Sequence, residues 1–318
     1  MKSFRYSFLK DDMLPASLVN VVANITALQT ISGVRKEEYI KIFTELEKIA
    51  FVQSIKSSNA IEGITISDKR FNQIVNHNSA HLNNNETLIA GYRDALREIN
   101  NNYESLSFDE KTIMHLHEMM IDEAEYNTCD NSLIEEMILA YTDAAEDPNI
   151  NKLLLIPCVI LDFLCIHPFM DSNNQMSRLL SLLLLYKNGY DAGRYISFED
   201  QISKYKNYYD EAIQLSSSGW KYNDNNYFVF IEEFLSDLYL CYKELDKRFP
   251  IVNGKKISKR ERIERTILNS LIPLSKSEIS NYLLDVSPTT VEAVLGALVK
   301  EGKIKLIGSA RSTKYIKA

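Results

Sequence analysis

Twelve consecutive residues, His167-Pro-Phe-Met-Asp-Ser-Asn-Asn-Gln-Met-Ser-Arg178, concentrate polar and ionisable groups between two apolar runs, Leu153–Ile166 and Leu179–Leu185. A hydrophobic core has no use for a His, an Asp, two Asn and an Arg there, because burying such groups unpaired is costly. A turn between two helices that receives an anion can use them. Amides exposed at a helix N-terminus favour negative charge. Asp171 can hold a hard cation. Arg178, about one turn inside the following helix, can fork onto phosphate oxygens. Upstream, Ser58 and Glu62 are four residues apart and project from one helical face. Gly63 follows them in a common helix-stopping place.

The elements that must position these groups read as helices. Gly (10) and Pro (7) are scarce among 318 residues, which favours helices over many tight turns. Between Lys41 and Ile55, apolar residues at 42, 43, 46, 49, 51, 52 and 55 follow helical spacing. Glu86–Asn100 is amphipathic, and Ser107-Phe-Asp-Glu110 has the capping-box pattern that starts a helix. Lys152–Ile166 feeds the polar turn and Ser172–Lys187 leaves it. Helices over 204–216 and 227–249 complete this body. His77 and His81 sit in a polar, Asn-rich loop without a third ligand, so a solvated loop is expected. His115 and His117, two apart, face different sides of a helix and read as core-edge or surface residues.

Residues 250–257 read as a linker. Three helices then follow, the third capped by Ser287 with Pro288 near its start, and Lys303–Ile307 with Lys314–Ile316 form a hairpin. This pattern resembles a winged helix. Its third helix offers Thr289, Thr290 and Glu292 rather than basic residues, which suits docking better than base reading. From Lys255 on, thirteen Lys/Arg face six Asp/Glu, a net of +7, while the remainder carries 23 against 37, a net of −14. So acidic a body does not attract nucleic acid by its general field; the basic tail could contact phosphates. Four Cys without metal spacing read as thiols of a reducing compartment. The longest apolar run is interrupted by Pro157 and Asp162, and the first residues lack a leader's apolar core. The expectation is a cytoplasmic protein with no membrane span.

The stretch 167–178 resembles the signature loop of Fic-domain proteins, His-Pro-Phe-x-Asp/Glu-Gly-Asn-Gly-Arg-x-x-Arg. It matches at His167, Pro168, Phe169, Asp171, Asn173 and Arg178. It departs where Ser172 and Asn174 replace Gly and where Gln175 replaces the first Arg. The segment 58–63 resembles the family's inhibitory motif, whose Glu occupies the second Arg of the loop. The resemblance implies a mainly α protein, organised as an N-terminal helical region (1–110), a Fic-type core (111–250) and a small winged-helix domain (255–318). It implies AMP transfer from ATP, with Mg²⁺, to a hydroxyl of a protein target. His167 would be the general base and Asp171 the metal ligand. Ser172, Asn173, Asn174, Gln175 and Arg178 would bind the nucleotide, and Ser58, Glu62 and Gly63 would inhibit. The family's Tyr-Tyr helix borders the adenine; by that alignment Tyr208-Tyr209 lie there and Ser216 contacts the nucleotide, although the same residues serve an ordinary amphipathic helix. Family members usually have a longer insert, forming a β-hairpin flap, where this chain has only seven residues between Ala124 and Ser132. Gln175 cannot make the Arg's two-pronged charged contact, so activity is expected to be weak. The alternative is a catalytically inactive adaptor or regulator, with DNA contact through the tail; a homo-oligomer is compatible with either.

Overall fold

A computed structural model of the chain describes residues 2–77, 79–121, 131–249, 258–268, 273–283, 286–308 and 313–318. Its helices in order are α1 (Phe8–Asp11), α2 (Ala16–Glu38), α3 (Ile40–Ile61), α4 (Asp68–His77), α5 (Asn84–Asn102), α6 (Glu110–Met120), α7 (Asn131–Glu146), α8 (Lys152–Ile166), α9 (Asn173–Lys187), α10 (Phe198–Lys204), α11 (Lys206–Ser217), α12 (Phe228–Lys247), α13 (Lys259–Leu268), α14 (Lys276–Tyr282) and α15 (Pro288–Lys300). Three short strands are β1 (Leu274–Ser275), β2 (Ile304–Ile307) and β3 (Lys314–Lys317). The chain divides into two compact units: Met1–Gly33 with Leu46–Lys243, and Val34–Glu45 with Glu244–Ala318. The expected linker at 250–257 and the short insert before Ser132 fall largely outside the described residues.

In the first unit α8 is the central element. Every residue from Leu153 to Phe163 is buried, including the polar Asp162. The Asn151 side chain caps its start by accepting from the Leu153 amide. Helix α9 returns against it with a continuous buried stretch from Met176 to Tyr186. The two are joined by the polar turn, so the turn is held at both ends by apolar surface that has no other place to go.

Buried carboxylates tie the surrounding segments to this pair. Asp162 accepts hydrogen bonds from Tyr6 (2.8 Å), Tyr227 (2.8 Å) and the Trp220 indole (2.6 Å), with the Lys2 ammonium 3.7 Å away. Burial nonetheless raises its carboxyl above the ordinary range. Glu199 accepts from Ser54 (2.6 Å), Ser197 (3.2 Å) and Tyr92 (2.9 Å), linking α3, α5 and α10. Gly91 lets α5 and α6 touch: a Cβ there would lie 2.3 Å from the Met120 carbonyl oxygen.

Helix α6 starts later than the sequence pattern suggests. The cap is Asp109, which accepts from the Thr112 amide at 2.8 Å, rather than Ser107. Helix α3 runs on through Ser58 to Ile61 and stops just before Gly63, where the sequence places its end. Helix α2 has the length and composition of a membrane-crossing helix, a property that core helices and leaders share. Its Leu18 and Ile25 are fully buried.

The second unit has its own core, built from Ile263, Ile267, Ile279, Val291, Leu295 and Ile304 among others. Ser275 and Glu278 form a reciprocal capping box on α14, and Ser287 caps α15 with Pro288 in the first turn. The strands form an antiparallel sheet in the order β1-β3-β2. Strand β1, which pairs Leu274 with Tyr315, is too short for any alternating pattern to reveal. Phe249 stacks on Phe43 with ring centroids 5.1 Å apart, and Arg35 pairs with Asp246 at 2.6 Å.

Two measurements check these assignments. Gly91→Ala forces apart two backbones, and overpacking of this kind costs about 1–3 kcal/mol in a denaturant titration. Asp237, 1% exposed on α12, has a carboxyl oxygen without a hydrogen-bond partner. Burial, helped by Glu233, raises its carboxyl to about 8. The native state therefore binds an extra proton between roughly pH 4, where an unfolded Asp titrates, and pH 8, and stability falls as pH rises through that window. Asp237→Asn is expected to remove this dependence, so the variant gains on the parent at pH 9 relative to pH 5.

Candidate functional site

The polar turn begins where α8 ends. His167 adopts a left-handed conformation (φ 53°, ψ 59°) and closes the helix by donating its amide to the Phe163 carbonyl at 3.1 Å. His is among the non-glycine residues enriched in that region. Ser172, at the cap of α9, is also left-handed at φ 60°, and its hydroxyl makes no cap bond to the first turn. A side chain there costs roughly 1–2 kcal/mol relative to the relaxed right-handed form. Of the two positions where the signature has Gly, this one needs it. Asn174 lies inside α9 and needs no positive φ.

Asn173 clamps the turn from within. Its Oδ1 accepts from the Phe169 amide (3.0 Å), and its Nδ2 donates to the Phe169 carbonyl (2.8 Å). The same Nδ2 lies 3.2 Å from His167 Nδ1 and 3.3 Å from Nε2. Asn173, expected to bind nucleotide, thus has its side chain committed to the loop, which leaves its backbone amide as the group available to a ligand. His167 and Asp171 are exposed, while Phe169 is fully buried.

Facing this turn is the end of α3. Gly63 at φ 74° permits paired terminal bonds, Ile64 N–H to the Asn59 carbonyl (2.9 Å) and Gly63 N–H to the Ala60 carbonyl (3.0 Å). This Schellman closure makes Glu62 the last residue before the chain turns away. Glu62 Oε1 receives Arg178 Nη2 at 2.8 Å. Arg178 Nη2 also donates to the Ser58 carbonyl (3.1 Å), and Nε donates to Ser58 Oγ (3.0 Å). Arg178 is 2% exposed, and its Nε and Nη2 are answered from the end of α3.

The other residues that depart from the signature turn to the same helix. Gln175, 2% exposed, donates from Nε2 to Asn59 Oδ1 at 3.2 Å. Asn174 Nδ2 lies 3.5 Å from Glu62 Oε2, at the limit of hydrogen-bond reach. The structure therefore brings together Ser58, Asn59, Glu62, Asn174, Gln175 and Arg178. Asn59 was missed in the sequence because buried amide pairing has no periodic signature. Ser216 is placed differently. It is fully buried, and its hydroxyl accepts from the Phe230 amide at 3.0 Å as a cap for α12. Tyr209 is buried with its hydroxyl unpartnered, whereas Tyr208 is exposed.

His117 corrects the expectation of a core-edge or surface residue. It is fully buried, lies parallel on Phe169 with centroids 3.6 Å apart, and places Nε2 3.4 Å from the Asp171 carbonyl. Its register with Ile113, Leu116 and Met120 carried the signal: all four belong to one buried helical stripe.

The turn offers an anion uncapped amides at the N-terminus of α9 and, once uncovered, Arg178. It offers a cation the exposed Asp171 carboxylate. Among the described residues no cluster of three or more His, Cys, Asp or Glu could hold a metal alone. One carboxylate is the donor set of a Mg²⁺ shared with phosphates, which keeps most of its coordination for water and substrate.

No protein-family model and no curated protein matches the sequence. Solved structures do match. A Fic family protein from Desulfovibrio desulfuricans aligns at 18% identity over 96% of this chain and 97% of that one, with a TM-score of 0.60. A Fic domain containing signaling protein from Bacteroides thetaiotaomicron aligns at 16% identity, over 73% of this chain and 96% of that one, with a TM-score of 0.57. A fragment of Fic-1 from C. elegans aligns at 14% identity over 70% of each chain, with a TM-score of 0.52. The chain has a mainly α fold of the Fic type.

Proposed function

We propose that this protein transfers AMP from ATP to a hydroxyl side chain of a protein target and is held in check by α3. The observation that carries the reading is the Arg178 fork. A buried guanidinium at a helix N-terminal turn is answered by Glu62 at 2.8 Å from a separate helix, in the place where a phosphate would otherwise be held. A carboxylate that substitutes for the ligand on the same fork is an inhibitor built into the chain.

In this reading His167 accepts the proton of the target hydroxyl as its oxygen bonds to the α-phosphorus. The bond from the α-phosphorus to its bridging oxygen breaks, and pyrophosphate leaves. An exposed imidazole beside the Asn173 amide suits general-base work. The first-turn amides of α9 cradle phosphate oxygens, and Arg178 takes the terminal phosphate once Glu62 has left it. Asp171 would hold Mg²⁺, which would offset phosphate charge.

The rival reading is an inactive adaptor or regulator of the same fold, with DNA contact through the basic second unit. One observation favours it: Gln175, the neutral substitute for a phosphate-binding Arg, is buried against Asn59 and spends its amide there.

Intact mass of Glu62→Gly after incubation with Mg-ATP and a candidate target, or with the protein alone, separates the two. The expected result is a gain of one AMP that disappears in Glu62→Gly/His167→Ala. No gain and no ATP binding would establish the adaptor. Charged hydrogen bonds contribute about 1.5–3 kcal/mol, or roughly one to two decades in affinity. Calorimetry is therefore expected to show that Glu62→Gly binds Mg-ATP ten-fold or more tightly than the parent. Gln175→Arg in the Glu62→Gly background is expected to increase the transfer rate by about the same factor.

A further inference from the structure

Helix α6 reaches the loop through His117. His117 is fully buried, stacks on Phe169 at 3.6 Å with an interplanar angle of 6°, and points Nε2 at the Asp171 carbonyl 3.4 Å away. A carbonyl only accepts, so Nε2 carries the proton. The opposite nitrogen, Nδ1, is buried without a hydrogen-bond partner. The helix that carries it is pinned: Gly91 lets the Met120 carbonyl sit directly on α5, and α6 also packs on α9.

We propose that His117 is a positioning residue for the loop: stacked on Phe169 and donating to the Asp171 carbonyl, it presets the backbone that presents the Asp171 carboxylate and the α9 amides to a phosphate ligand and its cation. What the loop binds rests on the nucleotide reading above; what holds the loop does not. Phe169 and Asp171 flank the exposed Met170, and together the stack and the hydrogen bond restrain the turn on either side of it. Asn173 performs the same task from α9. The loop is thus gripped from two helices, and its exposed carboxylate is aimed without any contact of its own being spent on the aiming.

Two substitutions separate the two contacts. His117→Phe keeps a flat ring and loses the donor; His117→Gln keeps an N–H and loses the ring. Amide hydrogen exchange is measured on each in the full chain without ligand. The expected result is exchange about five-fold faster at residues 169–173 in the Phe variant, the loss of one ordinary hydrogen bond, with α5 and α12 unchanged and a smaller acceleration in the Gln variant, which loses the stack alone. The same variants in the Glu62→Gly background are titrated with ATP, with Mg²⁺ and with EDTA. Half-saturation by Mg²⁺ is expected to rise about five-fold in the Phe variant and to recover in the Gln variant, with metal-free ATP binding unchanged. Unchanged loop exchange in the Phe variant, equal acceleration in both variants, or parallel loss of metal-dependent and metal-free binding would overturn the proposal and make His117 core packing. If Glu62→Gly itself binds no ATP, the nucleotide reading fails, and loop exchange alone decides the role of His117.

Discussion

Arg178 cannot be buried alone. A guanidinium taken out of water needs its charge and its N–H groups answered, and removing a partner from such a site costs several kcal/mol. Arg178 lies on α9, and both residues that answer it, Ser58 and Glu62, lie on α3. This one requirement brings the end of α3 to the loop, and the rest of the site follows from it. Glu62 must cap α3 just past its last residue, Ile61, so Gly63 turns left-handed. Ser58 must present both hydroxyl and carbonyl, so α3 must run unbroken through it. Tyr92 and Glu199 then extend the polar network behind Ser54 and Ser197. The Arg178 side chain is buried, yet its partner Glu62 keeps a side chain that is one-quarter exposed. That is the member a ligand could displace.

The departures from the Fic signature have structural consequences of unequal size. Ser172 takes the left-handed conformation that Gly would adopt freely, so the backbone shape survives at a cost in strain. Asn174 needs no special conformation and reaches toward Glu62. Gln175 replaces a charge that would repel Arg178 and favour phosphate with a neutral amide that pairs with Asn59. Two of the three substitutions thus face α3. Together they add contacts between the loop and the end of α3.

Polar groups at the heart of the first unit do a second kind of work. Asp162, in the middle of the most apolar helix, gathers Lys2, Tyr6, Trp220 and Tyr227. An apolar residue there would have packed more cheaply but would have accepted any neighbour. A buried acceptor tolerates only donors at fixed distances, so it selects which segments lie against α8 just ahead of the loop.

The resemblance to Fic proteins implied that residues 58–62 face the loop; the sequence by itself determined the helical class and the polar turn between α8 and α9. Each rests on local information: apolar periodicity, caps, a Gly that stops a helix, and polar residues crowded where a core would exclude them. It misplaced the cap of α6, where Asp109 competes with Ser107 two residues earlier, and it overlooked β1, whose two residues carry no alternation. Only the tertiary structure decided that Gln175 faces Asn59, that the Ser216 hydroxyl caps α12, that His117 lies under Phe169, and that Asp162 is a hub. These are contacts between residues far apart in the chain, each set by which atoms burial leaves in need of a partner. Periodicity reports which face of a helix is hidden. What that face meets is settled when the helices pack, because only then does each buried donor or acceptor acquire a fixed set of neighbours.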